Sequence, residues 1–152
     1  MNRHKYVDVS YKSLNKFTEE LCGDREEVVN TEDGIIIVLS DGLGSGVKAN
    51  ILSTLTSKII STMMKEGADI EDTVDTIVKT LPVCSIRNLA YSTFSILQIS
   101  HWGEVYLVEF DNPSCIFIQN GQLSEIEYSE REIAGKSIKE ARFKVNESDE
   151  LI

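Results

Sequence analysis

The chain has 152 residues, 41% hydrophobic and 26% charged, with a formal net charge of −10. That is enough for one domain with a real core, and the balance is that of a water-soluble globular fold. A chain this acidic is not built to hold nucleic acid or an anionic membrane through its overall field, although a bound cation can still create a local phosphate site.

Three cysteines, Cys22, Cys84 and Cys115, lie far apart and form no CxxC pair. They read as small buried hydrophobes of a reduced protein. No apolar run is long enough for a membrane span, and the N-terminus has no apolar signal core, so the cytoplasm is the expected location. No repeat or linker divides the chain, which is read as one domain over 1–152.

Residues 5–11 (KYVDVSY) alternate and are rich in Val and Tyr, which predicts a strand. REEVV leads into NTEDG at 30–34, a turn signal, and IIIVLS at 35–40 is an apolar run expected as a strand buried on both faces. The period then changes. Leu52, Leu55, Ile59 and Met63 fall on one helical face, with Ile51, Ile60 and Met64 beside them, predicting a helix from about 46 to 66 closed by Gly67. Asp69 is placed as the N-cap of a second helix, with Asp72 in the capping-box position. Its buried face is Ile70, Val74, Ile77, Val78 and Leu81, and Pro82 ends it. From about residue 90 the pattern is β: YSTFSILQI, WGEVYLVEF, CIFIQ with Asn120-Gly121, QLSEIEY, and RFKV at 142–145. The order predicts an α+β protein in which two helices cover a mostly antiparallel sheet.

The stretch VLSDGLGSG, 38–46, carries the chemistry. If a loop at 31–34 closes a hairpin, opposed residues share a constant sum of 65, as Asp24 and Asp41 do. The two carboxylates then share one face, with Cα atoms about 4.5–5.5 Å apart. Like charges so placed are destabilising and call for a positive partner. Arg25 is expected to point to the other face, so a hard divalent ion, Mg²⁺ or Mn²⁺, is the economical partner. Gly42 would let its carbonyl or a bound water approach that ion, and Gly44 and Gly46 would let the backbone turn into the helix. A plain strand-to-helix turn, with Asp41 as cap, remains the alternative.

Gly23-Asp24 followed by Ser40-Asp41-Gly42-Leu43-Gly44-Ser45-Gly46 resembles the paired motifs of the PPM-type (metal-dependent, type 2C) protein serine/threonine phosphatases, and more narrowly the bacterial stage II sporulation protein E-like branch. The resemblance covers nearly the whole chain. EFDNPSCIFIQNG at 109–121 sits where that family has an AGHxPP-like turn, with Phe110-Asp111-Asn112 in place of Ala-Gly-His. The resemblance implies a β-sandwich flanked by helices, with two metal ions at one end. It implies that Asp41 bridges both ions, that Asp24 ligates one and that the Gly42 carbonyl completes a shell. Further aspartates belong to a later SDG motif. Asp149 matches the turn before it, so the chain reads as truncated at its C-terminus, lacking at least two acidic ligands, inactive by itself and prone to self-association. The implied activity is hydrolysis of phosphoserine or phosphothreonine on a protein by a metal-activated water, with sigma-factor regulators among the substrates of that branch. The alternative is a catalytically inactive phosphatase-like regulatory or binding module. His4 and His101 are poor candidates for a catalytic base. Asp111 and Asn112 read as a turn, and Lys48 and Arg87 as surface charge within conceivable reach of a phosphate.

Overall fold

The computed structural model describes residues 4–14, 23–42, 46–80 and 92–152. Strands Asp24–Asn30 (β1) and Gly34–Gly42 (β2) form the predicted hairpin. Helices Gly46–Lys65 (α1) and Ile70–Thr80 (α2) follow. Next come Ser92–Ser100 (β3), Glu104–Phe110 (β4), Phe117–Gln119 (β5), Gln122–Ser124 (β6), Ser129–Ile133 (β7), Lys136–Lys144 (β8) and Glu150–Leu151 (β9). A six-stranded sheet has the order β1-β2-β3-β4-β8-β7, and a three-stranded sheet the order β6-β5-β9. Every pairing is antiparallel.

Alternation along β2 gives the large sheet two different faces. Ile36 and Val38, with Phe94, Ile96, Val108, Phe110 and Ile138, pack under Ile60 and Met64 of α1 and Ile70, Val74 and Ile77 of α2. On the other face Ile35, Ile99 and Val105 pack with Ile37, Leu97, Phe143 and Leu151. The small sheet covers this second face at one end, where the rings of Phe117 and Phe143 meet at 4.9 Å. The α+β sandwich is therefore as expected, but the described helices all lie on one side.

Capping follows the expected chemistry. The Asp69 carboxylate accepts from the Asp72 amide at 2.8 Å. Gly67 has φ +87, and the bonds from Gly67 N to Met64 O and from Ala68 N to Met63 O close α1.

Three expectations are corrected. Residues 5–11 form no strand. Their extended segment is tied by the bond from Lys5 N to His101 O, and Val7 and Val9 pack against the second cluster. The buried stripe of α1 is Ala49, Leu52, Ser53, Thr56, Ser57, Ile60, Ser61 and Met64, while Ile51 and Leu55 are 49% and 45% exposed. Small residues win that face because α1 lies very close to β2. Their hydroxyls are satisfied inside the helix, as in Thr56 Oγ1 to Leu52 O and Ser57 Oγ to Thr54 O. Finally, the strand expected at RFKV, 142–145, is the end of a longer strand, Lys136–Lys144, paired with β7 in a hairpin. It turns at Ala134 and Gly135, both with positive φ, between strands too charged to read as a buried pair. The predicted roles of Leu81, Pro82, Cys22, Cys84 and Arg87 lie outside the described residues.

Candidate metal centre

The hairpin places Asp24 opposite Asp41. The bonds from Gly42 N to Gly23 O and from Thr31 N to Gly34 O fix the hydrogen-bonded pairs at odd positions of β1. Asp24 and Asp41 therefore form a non-hydrogen-bonded pair, the closer kind, with Cα atoms about 4.5 Å apart. Both are exposed on the face turned away from the helices. Arg25 opposes Ser40 on the helix side, where it lies 4.0 Å from Glu27, and Lys58 of α1 reaches Glu27 at 3.5 Å. Arg25 is thus turned away from the aspartates as expected.

Asp41 lies near the end of β2, between β1 and β3. Its carbonyl accepts from Ser92 Oγ at 3.0 Å, and Thr93 stands directly across from it on β3. Beside them the Asn112 side chain crosses from the β4–β5 connection: Thr93 Oγ1 donates to Asn112 Oδ1 at 2.5 Å, and Asn112 Nδ2 donates to Ser95 Oγ at 2.9 Å. Asp111, at φ 51, makes the expected turn, but Asn112 also brings a polar group onto the aspartate face. Nothing in the local sequence separates a turn asparagine from one that reaches a neighbouring strand.

Farther along this face Glu109 opposes Ser95 and is only 2% exposed. Its Oε1 accepts from Cys115 N at 2.7 Å and Tyr128 OH at 3.1 Å, while Oε2 has no partner among the described residues. Burial, and then the Glu109 charge, push the Cys115 thiol up to about 11 and raise the Tyr128 hydroxyl. Cys115 is half-buried rather than fully enclosed.

Gly42 has a reason of its own. A Cβ there would sit 2.0 Å from the Ala49 carbonyl oxygen, so the position makes room for α1 whatever its carbonyl does. Gly46 opens α1 at φ +68, a conformation costly for any residue with a side chain. Gly44 lies outside the described residues. Lys48 is exposed in the first turn of α1. His4 and His101 stack at 5.3 Å beyond the opposite end of β3, roughly 25 Å along the strand from Thr93. An open cleft of about 1890 Å³ lies on the aspartate face toward that end, between residues 4–10, Ile37, Leu97, Ile99 and 144–152. Asp149 is in the turn, accepting from Asn146 N at 2.8 Å.

Two facing carboxylates suit a hard divalent ion, and their exposure leaves room for water or an anion to complete its shell. Among the described residues no group of three His, Cys, Asp or Glu side chains could hold a metal ion.

No protein-family profile and no curated protein matches the chain. Solved structures do. The RsbU and RsbW domains of a Mycobacterium tuberculosis protein align with 87% of this chain at TM-score 0.70 and 14% identity. The PP2C phosphatase domain of SpoIIE from Bacillus subtilis, with a fragment of its regulatory domain, aligns with 85% at TM-score 0.66 and 20% identity. RsbX in complex with magnesium aligns with 92% at TM-score 0.68 and 20% identity. The fold is PP2C-like. This chain spans 38% of the first structure, 40% of the second and 69% of the third. None of the helices among the described residues is long and apolar enough to cross a membrane.

Proposed function

We propose that Asp24 and Asp41 belong to the active site of a metal-dependent protein serine/threonine phosphatase of PPM type, akin to the sporulation protein E-like branch. The observation that carries this reading is the close carboxylate pair at the end of a PP2C-like sheet. Asp24, Asp41 and the Gly42 carbonyl would hold Mn²⁺ or Mg²⁺, two ions in the family's sites. Such an ion supplies Lewis acidity toward a phosphate ester and its attacking water. Water oxygen bonds to phosphorus as the bond to the serine or threonine oxygen breaks, and the leaving oxygen takes a proton. The Thr93 hydroxyl donates to the neutral Asn112 amide, which cannot take its proton as a base would, so this hydroxyl is not activated as a rival nucleophile. The substrate is a phosphorylated protein, such as a regulator of a sigma factor, in the cytoplasm.

The 20% identity to the phosphatase domain admits a second reading, a phosphatase-like regulatory or binding module without activity. A hydrolysis assay of the whole protein decides between them. Mn²⁺-dependent hydrolysis of an aryl phosphate or a phosphoserine peptide, abolished by Asp41→Asn, is the expected result. Absence of hydrolysis with either metal and both substrates would leave the binding module.

A further inference from the structure

The aspartate face holds more than acidic groups. Thr93 lies directly across from Asp41, and Ser95 lies two residues on, a diagonal neighbour about 7–8 Å from it. Asn112 clasps both. In the assigned orientation Oδ1 accepts from the Thr93 hydroxyl and Nδ2 donates to Ser95 Oγ. Two donors remain without an acceptor among the described residues. One is the second N–H of Nδ2. The other is the Ser95 hydroxyl proton, because Ser95 Oγ acts as acceptor. All three side chains are half-buried and open to solvent.

Donor hydrogens aim at an anion and cannot ligate a cation, although the neighbouring side chains are acidic. Asp24 and Asp41 lie to one side and the Glu109 carboxylate to the other. Glu109 also anchors the connection that carries Asn112, through the Cys115 amide. A buried acid thereby fixes the loop on one side, and the clasp fixes it on the other. Neutral donors held rigidly beside a carboxylate pair match an anion that arrives on a cation, because the cation supplies the charge and the donors supply direction.

We propose that Asn112 and Ser95 form a phosphate subsite, donating to the oxygens of a phosphate group that bridges to an ion held by Asp24 and Asp41. Thr93 and Glu109 act as positioning residues, the first by orienting the amide and the second by holding its loop. The subsite rests on the metal reading of the aspartate pair.

The test uses the 152-residue chain with Mn²⁺ and inorganic phosphate. Free Mn²⁺ is read by electron paramagnetic resonance, and phosphate near bound Mn²⁺ by its enhanced ³¹P relaxation. Asn112→Ala and Ser95→Ala are each expected to weaken phosphate binding about tenfold, as loss of a charge-assisted hydrogen bond does, with Mn²⁺ affinity unchanged. Ser95→Ala decides the matter if Asn112→Ala fails to fold. Wild-type phosphate affinity in both variants would make the clasp purely structural and overturn the subsite. Mn²⁺ binding without phosphate binding in the wild type would also overturn it, while leaving the metal reading intact. Failure of the wild type to bind Mn²⁺ would remove the metal reading, and the subsite with it.

Discussion

Gly42→Ala tests why a glycine follows the second aspartate. The added Cβ would lie 2.0 Å from the Ala49 oxygen, 2.7 Å from its carbonyl carbon and 2.9 Å from its Cα. All three are helix backbone, so no rotamer change relieves the clash. Restoring ordinary contact requires α1 to retreat from β2 by about 1.5 Å. That retreat takes the buried bond from Ser40 Oγ to Ser53 O, 2.6 Å long, out of reach. Overpacking of this kind costs about 1–3 kcal/mol, and the broken buried hydrogen bond about 1 kcal/mol more. The expected loss is about 2–4 kcal/mol, which for a chain of this length lowers Tm by roughly 5–15 °C. Urea unfolding followed by circular dichroism measures it. A variant within about 0.5 kcal/mol of wild type would refute the packing explanation. If stability were intact and only Mn²⁺ affinity fell, the glycine would instead serve the ion.

Two further outcomes are expected. Ala134→Asn supplies the residue that its left-handed backbone, at φ 49, prefers ahead of Gly135, and should stabilise the chain by about 0.5–1 kcal/mol in the same assay; no gain would contradict a type I′ turn there. Stability should also fall as pH rises from 9 toward 12. Cys115 is raised from 9.0 to about 11, chiefly by burial, and Tyr106 from 10.0 to about 12 by burial and then by its bond to Glu140. In that window the unfolded chain has lost protons that the folded chain keeps, so the slope of stability against pH is negative. A flat unfolding free energy across it would contradict the burial of these groups.

The hairpin was legible because its turn and its apolar run constrain each other. NTEDG sets the centre, and the register that follows from it faces Asp24 to Asp41. The second helix was legible because its apolar residues are large and its cap is aspartate. The first helix misled because its largest side chains are not its most buried. Close approach to Gly42 favours Ser53, Thr56 and Ser57 over Leu55, and hydrophobic periodicity does not weigh proximity. Charged β7 hid as an edge strand should, since polar residues keep such an edge from pairing further. Asn112 looks like a plain turn residue in the sequence because its second task depends on which strand lies beside it, and local pattern does not encode that. Glu109 gave no signal, because a lone acid inside a strand looks the same whether it is solvated or enclosed.

The metal reading of the aspartate pair is tested most directly by Mn²⁺ titration of the 152-residue chain, wild type against Asp41→Asn, with free Mn²⁺ followed by electron paramagnetic resonance. Two carboxylates leave most of the shell to water, so the wild type should bind weakly but measurably. Partners that merely support a ligand are worth about 10–100-fold in metal affinity, so loss of a ligand should cost at least as much and remove binding from the accessible range. Equal Mn²⁺ affinity in the two proteins would contradict a metal site at Asp24 and Asp41.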